Sequence, residues 1–462
     1  MKKPLMFLST FVICFLLYLD SPAQLIAAGA AHSVFTCTNN IAFSCGFNNA
    51  GQLGDGTNTN TNIPIQVVGL NGVIDISGGY HSLFLKNDGT VWSCGYNVNG
   101  QLGDGTTTNK SVPIQISTLN GMTAVSVGKV HFSLFLKSDS TAWACGNNGS
   151  GQLGNGTADG NAHSVPTQVN GLTKITKISA GGVHCLFLKK DSAVWACGGN
   201  GYGVLGDGTI IQRTTPVQVS GLSKIIAIAA GNGHSLFLKN NGTVWSCGYN
   251  TNGQLGNGSS DNNPHATATQ ISTLNGIVAI AGGDTHSLFL KNNGTVWACG
   301  WNAYGQLGDG TNVDRSIPIE VNGLNNIVAM AGGLGHSIFL KNDGSVWACG
   351  WNANGQLGDG TNTIRFTPVQ TTPLCGITVG IQENFNENNI SVYPNPVSNK
   401  LFFKLKELDL KNTKLTISNQ LGQILLQSDY KQEVDLSFLS TGIYYIKVQS
   451  NAEQKTFKII KE

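Results

Sequence analysis

The chain has 462 residues, 60 of them glycine, with charged residues at 11% and a formal net charge of +2. It is too long for one ordinary core, and this glycine-rich, charge-poor composition argues for many short strands and tight turns, against long helices. Charge is unevenly placed, since the tail from Ser391 holds ten Lys against seven acids while residues 4–390 hold fifteen Lys and Arg against eighteen; the large middle therefore lacks the basic stripe that nucleic acid would need.

The first 23 residues combine Lys2 and Lys3, an apolar run from Leu5 to Leu19, and the small residues Ser21 and Ala23. The run is shorter than the roughly 20 residues of a membrane span, and its layout is that of a cleaved export signal. A mature chain beginning near Gln24 is expected, with no transmembrane segment.

From there the sequence repeats. Cys45, Cys94, Cys145, Cys197, Cys247, Cys299 and Cys349 each open a phrase such as CGWNAYGQLGDGT, at intervals of 49 to 52 residues. That period signals a propeller or a solenoid. Each unit holds four strand candidates; in the sixth they are IVAIA, HSLFLK, TVWAC and IPIEV, and the Asn-Gly before TVWAC supplies a tight hairpin turn. The second strand is continuously apolar, so both its faces are expected to be buried between neighbouring sheets. A linear solenoid is the second reading but would need atypical capping units; the first unit is only mildly atypical, with Phe43 where the others have Trp, and the seventh is not. The fold expected is all-β: a seven-bladed β-propeller of four-stranded antiparallel blades over residues 24–374.

The recurring phrase G-x-x-H-S-L-F-L-K-x-x-G-T-V-W-x-C-G-x-N-x-x-G-Q-L-G-D-G-T resembles the repeat of the regulator of chromosome condensation family over about three quarters of the chain. The resemblance implies that family's seven-bladed fold; it does not carry over nucleotide exchange, because fold does not fix function. Residues 375–390 are polar and aperiodic and read as a linker. The tail, residues 391–462, alternates like strands and resembles the C-terminal sorting domain of the Bacteroidetes type IX secretion system, through Tyr393-Pro-Asn-Pro, Leu421-Gly422-Gln423, Asp435-Leu436-Ser437 and Gly442-Ile443-Tyr444-Tyr445. That resemblance implies a small immunoglobulin-like β-sandwich that engages the type IX machinery, and a secreted or outer-membrane-surface protein.

No enzyme signature emerges, and no cofactor or metal is expected. His32, His81, His131, His184, His234, His286 and His336 recur before the second strand, where each is expected to tie a loop to its own blade; blades are too far apart for a shared metal. The repeat cysteines read as buried small residues. Cys37 and Cys375 break the pattern at the two ends of the ring, and an exported protein permits a bridge between them. Asp55, Asp104, Asp207, Asp309 and Asp359 belong to D-G turns, while Asp284 and Asp314 stand outside the repeat without an evident partner. Lys86, Lys137, Lys189, Lys239, Lys291 and Lys341 border one set of hairpins and read as solvated ends.

Antiparallel succession puts the residue after CG and the two variable residues of G-x-x-H on one face. There Tyr249, Trp301, Trp351, Phe47 and Tyr96 are contiguous around the closed ring, with Asn147 and Gly199 at the gap, and Tyr80, Tyr202 and Tyr304 adjoin them. Large aromatics of this kind make protein hot spots and also stack on sugars. The function expected is non-enzymatic recognition of an extracellular protein through this crescent, with a glycan-binding or carbohydrate-active surface protein as the second reading.

Overall fold

The computed structural model describes residues 25–37, 39–372, 390–393, 397, 399–405, 413–419, 423–440, 442–449 and 454–461. The export signal and residues 375–389 of the expected linker, Cys375 among them, lie outside them, while its last residue, Ile390, opens a strand. The chain divides into two compact units between Gly376 and Ile377. In the first, seven four-stranded antiparallel sheets follow one another, each in the order first-second-third-fourth. Blade 6, for example, runs Ile277–Gly282, His286–Lys291, Val296–Gly300 and Arg315–Glu320. As the unbroken apolar run requires, the second strands are buried from His to Leu, leaving only the closing Lys half-buried. Apolar clusters alternate with the sheets: Leu288, Leu290 and Val296 of blade 6 pack against Phe339 and Cys349 of blade 7, and Phe35 and Cys45 of blade 1 pack against Ile338 and Leu340 of blade 7.

The histidines occupy these seams, which corrects the expectation that each serves its own blade. His32 Nε2 lies 2.8 Å from Ser82 Oγ of blade 2. The same bond joins His81 to Ser133, His184 to Ser235, His234 to Ser287 and His286 to Ser337. His336 meets Ser33 at 3.1 Å and so closes blade 7 onto blade 1. Each serine hydroxyl donates its single proton to a carbonyl of the preceding blade, as Ser82 does to Gln52 at 2.7 Å and Ser33 to Gln356 at 2.6 Å. The hydroxyl therefore accepts from imidazole, and the histidine carries its proton on Nε2. The repeat cysteine reinforces the seam: Cys94 Sγ donates weakly to the same Gln52 carbonyl at 3.6 Å, and Cys45 to that of Gln356 at 3.7 Å. Cys37 is disulfide-bonded, whereas the repeat cysteines and Cys185 are free, buried thiols; Cys375, the expected partner of Cys37, is outside the described residues.

The second unit contains a three-stranded sheet of Ile390–Tyr393, Lys400–Leu405 and Glu433–Asp435, and a four-stranded sheet of Ile424–Asp429, Lys414–Asn419, Gly442–Gln449 and Gln454–Lys461. Leu401, Phe403, Val434, Leu415, Ile417 and Ile446 from both sheets share one core. Tyr444 Oη donates to the Ser440 carbonyl at 2.9 Å, a tyrosine-corner arrangement familiar in immunoglobulin-like sandwiches.

Two predictions follow from the seams. Replacing Ser235 by Ala leaves the His184 Nε2–H group buried without an acceptor, which costs about 1–3 kcal/mol, read as a lowered urea midpoint. Burial also holds His81, His184, His234 and His336 down to about 3 and His32 to about 4, with His286 well below its ordinary range. The unfolded chain binds these protons near pH 6.5 while the native ring stays neutral. Stability is therefore fully present above that pH and is lost as pH falls toward 3–4, at up to about 1.4 kcal/mol per pH unit for each histidine. Unfolding midpoints should fall steeply below pH 6; a level profile from pH 6 down to pH 4 would contradict the neutral seam.

Candidate functional site

The loops between third and fourth strands are built around a buried asparagine. Asn302 Nδ2 donates to Asp309 Oδ1 at 3.0 Å and to the Thr311 and Val313 carbonyls at 3.1 Å, while its Oδ1 accepts from Leu307 N. Asn48, Asn97, Asn200 and Asn352 do the same in their blades. The D-G aspartates are thus loop acceptors as well as turn formers, and Arg315 fastens Asp309 from outside at 2.7 Å. The glycine after each Cys is required by crowding: Gly300 sits at φ +107, and a Cβ there would lie 2.5 Å from the Thr285 carbonyl oxygen and 2.7 Å from His286 Cα. That close approach lets Trp301 N bond to the Thr285 carbonyl at 2.8 Å. The residue after CG is thereby held against the loop joining the first and second strands.

On this face the expected aromatics form three groups. Tyr304 lies between Trp301, edge-on at 5.2 Å, and Trp351, stacked at 5.7 Å. Tyr202 packs edge-on against Tyr249 at 4.6 Å. Tyr80 and Tyr96 both pack on His131, at 4.9 and 4.7 Å. Among the described residues no ring contact joins these groups, and Phe47 makes none. Phe47, Tyr96, Tyr249, Trp301, Tyr304 and Trp351 are half-buried, whereas Tyr80 and Tyr202 are exposed.

His131 does not occupy the place of the other histidines. Blade 3 carries one additional residue, so Phe132 pairs with Gly146 as His184 pairs with Gly198. Phe132 fills the buried slot, and His131, at φ +56, is turned out onto the face. The next blade shows the matching change: Cys185 stands where the others have Ser and donates to the Gln152 carbonyl at 3.0 Å. An acceptor hydroxyl is not needed where no imidazole donates. The signal is present in the sequence as Val130-His131-Phe132-Ser133 against Gly335-His336-Ser337.

Two concavities open beside these groups. A cavity of about 270 Å³ lies at the mouth of the central channel, where Tyr80, Lys129, His131, Asn232, Asp284 and Leu334 meet. A larger hollow of about 640 Å³ lies over blades 4 and 5, between Tyr202, Tyr249, Ile210 and Gln212, where Gly199 supplies no side chain. The crescent's gap at Gly199 thus opens onto this hollow. Lys129 lines both the mouth and the channel beneath it, and its Nζ donates across the axis to the Gly332 carbonyl at 3.1 Å. Burial lowers Lys129 to about 8 while the Asp284 carboxylate acts in the opposite direction; burial raises Asp284, and Lys129 acts to lower it.

Two further expectations are corrected. Asp314 has partners, accepting from Asn302 N and from Asn252 Nδ2, both at 2.8 Å, in the place that Asn60 holds in blade 1. The six lysines of the opposite face are not simply solvated ends: each ammonium lies over its own blade's tryptophan, from 3.9 Å for Lys291 and Trp297 to 5.9 Å for Lys86 and Trp92.

A closed ring of seven four-stranded blades, six of its seven seams carrying the same histidine–serine bond, defines a seven-bladed propeller built from one repeated unit. Residues 131–389 match the RCC1-like domain, and residues 40–85 and 88–134 each match the regulator of chromosome condensation (RCC1) repeat. The chain belongs to the RCC1-like family. Residues 391–462 match the secretion system C-terminal sorting domain. Over 306 residues the chain is 30% identical to the ultraviolet-B receptor UVR8 of Arabidopsis thaliana, covering 64% of this chain and 69% of that protein. It is 39% identical over 83 residues to the X-linked retinitis pigmentosa GTPase regulator homolog of Caenorhabditis elegans, covering 18% of this chain and only 6% of that one. The structure of Prp20p from Saccharomyces cerevisiae superposes with a TM-score of 0.63 at 20% identity, covering 80% of this chain and 92% of that one.

Replacing Asp284 by Asn removes the one group that raises Lys129. The Lys129 ammonium should then titrate below its present value of about 8, observed through its Nζ resonance; an unmoved titration would show that the two charges are not coupled.

Proposed function

We propose that the chain is a secreted or cell-surface, non-enzymatic recognition propeller that binds a protein through the face carrying its aromatic groups. The observation that carries this reading is the division of labour within the repeat. Seams and loop interiors are hydrogen-bonded scaffold, whereas the variable loops of one face set exposed apolar residues, Val98, Tyr202, Ile210, Ile211 and Val313, beside the half-buried aromatics; other exposed apolar residues, such as Ile63, Val112, Val278 and Val328, are spread singly over the first and fourth strands. Exposed apolar groups beside half-buried aromatic anchors are the composition of a protein-binding surface. The sorting domain supports placement outside the cell and contact with the type IX machinery, and Prp20p, whose structure was reported with its binding to Gsp1p and histones, is a protein-binding example of the fold. The residues assigned to the surface are Phe47, Tyr80, Tyr96, Tyr249, Trp301, Tyr304 and Trp351, extended by Tyr202, Ile210 and Ile211 around the hollow.

A glycan remains the second reading because the hollow sets Tyr202 and Tyr249 beside the amide of Gln212, the pairing of ring face and hydrogen-bond groups that sugars use. The test takes the exported protein, crosslinks it to neighbouring surface proteins and measures the affinity of the partner so identified. Trp301→Ala plus Trp351→Ala should weaken that complex at least about 30-fold, the equivalent of one hot spot of about 2 kcal/mol, with thermal unfolding retained as the folding control. Unchanged protein affinity in the folded double variant would overturn the assignment. Saturable binding of soluble oligosaccharides, lost on Tyr202→Ala, would favour the second reading.

A further inference from the structure

The mouth of the channel has a chemistry that the aromatic surface does not use, and it stands whether or not that surface binds a protein. Of the seven positions that follow the loop glycine, five hold Ala30, Gly79, Gly182, Asn232 and Leu334; Lys129 and Asp284 alone carry charge. The two come from blades 3 and 6 and face the same cavity of about 270 Å³. They do not pair directly, since among the described residues no ion pair within 4.0 Å includes either. The Lys129 ammonium has three N–H donors, and one is taken by the Gly332 carbonyl. That bond fixes where the charge sits and leaves donors toward the mouth. The Asp284 backbone is fixed as well, its N–H bonded to the Gly333 carbonyl at 2.9 Å and its carbonyl to Asn232 N at 3.0 Å.

We propose that this mouth binds a zwitterionic α-amino acid, its carboxylate toward Lys129, its ammonium toward Asp284 and its side chain toward Tyr80 and Leu334. Two opposite charges held apart in one partly desolvated cavity disfavour any ligand of single charge, because an anion meets Asp284 and a cation meets Lys129. A dipole of reversed sense satisfies both, and each contact is a charge-assisted hydrogen bond. The cavity volume suits one amino acid of medium side chain and excludes an oligosaccharide or a folded segment of a partner. Burial brings Lys129 only to about 8, so at neutral pH the ammonium form predominates. The wall of Tyr80 and Leu334 favours an apolar or aromatic side chain over a charged one.

Calorimetry on the mature full-length protein tests this with free leucine, phenylalanine and tyrosine, their N-acetyl forms, which lack the ammonium, and their amides, which lack the carboxylate. At least one free amino acid should bind saturably, and either block should weaken it at least about tenfold, the loss of one charge-assisted contact. Asp284→Asn should weaken the free amino acid similarly while leaving the anionic N-acetyl form bound as well or better, since the carboxylate that opposes it is gone, and Lys129→Met should weaken the free amino acid while leaving the cationic amide bound as well or better. Should Lys129→Met fail to fold, the Asp284→Asn arm decides alone. No saturable binding at millimolar concentration, equal binding of the blocked forms, or affinity unmoved in folded Asp284→Asn would each overturn the proposal.

Discussion

The structure depends on one buried hydrogen-bond chain between blades: imidazole to serine hydroxyl to the carbonyl of the preceding blade's loop. Six seams use it, from His32 and Ser82 round to His336 and Ser33. A propeller closes only if each sheet is set at the same angle to the next, and apolar packing alone is tolerant of small rotations. A bond of 2.7–3.1 Å through a buried imidazole is much less so. The neutral tautomer it demands also accounts for the depressed titration of these histidines, because burial disfavours the charged form and the serine offers an acceptor only to Nε2–H. The seventh seam, Phe132 against Cys185, shows the rule by departing from it at both partners: the donor is lost and the hydroxyl is lost with it.

Such a scaffold frees its loops. Once the Asn of each CG-x-N phrase has bonded its own loop, and the Cys and Ser have bonded the neighbouring one, the residue after CG and the two before His have no side-chain part in the histidine–serine seam, although the backbone of the first of those two still bonds the next blade, as Asp284 N does the Gly333 carbonyl. Variation there costs folding little, and it is there that the aromatics, Lys129 and Asp284 stand. The opposite face is less free than its ring of lysines suggests, because each ammonium covers a tryptophan. The glycine at position 199 contributes by absence, opening the hollow between Tyr202 and Tyr249.

Much of this was legible in the chain. The seven CG phrases, the Asn-Gly hairpins and the doubly buried HSLFLK strands carry the propeller, since period and burial pattern are local properties that a repeat displays seven times. The sense of the histidine contact was not legible, because sequence reading shows which unit a residue belongs to but not which sheet its side chain faces. Residue identity misplaces His131 because strand register decides the slot: one additional residue in the loop puts Phe132 opposite Gly146, while Ser133 to Leu136 keep the register of the other blades, and that pairing alone shows where the insertion is absorbed.

The sequence by itself determined the class of fold, the number of blades, the face on which variation is tolerated and the sorting domain that follows. Those are properties of spacing and alternation. Tertiary structure alone decided which departures from the repeat meet. Lys129 and Asp284 lie in different blades, 155 residues apart in number, and share a cavity only because closing the ring brings the first-strand ends of all blades to one axis, while the aromatics that are neighbours in blade order separate into three groups because each packs on whichever ring its own loop reaches.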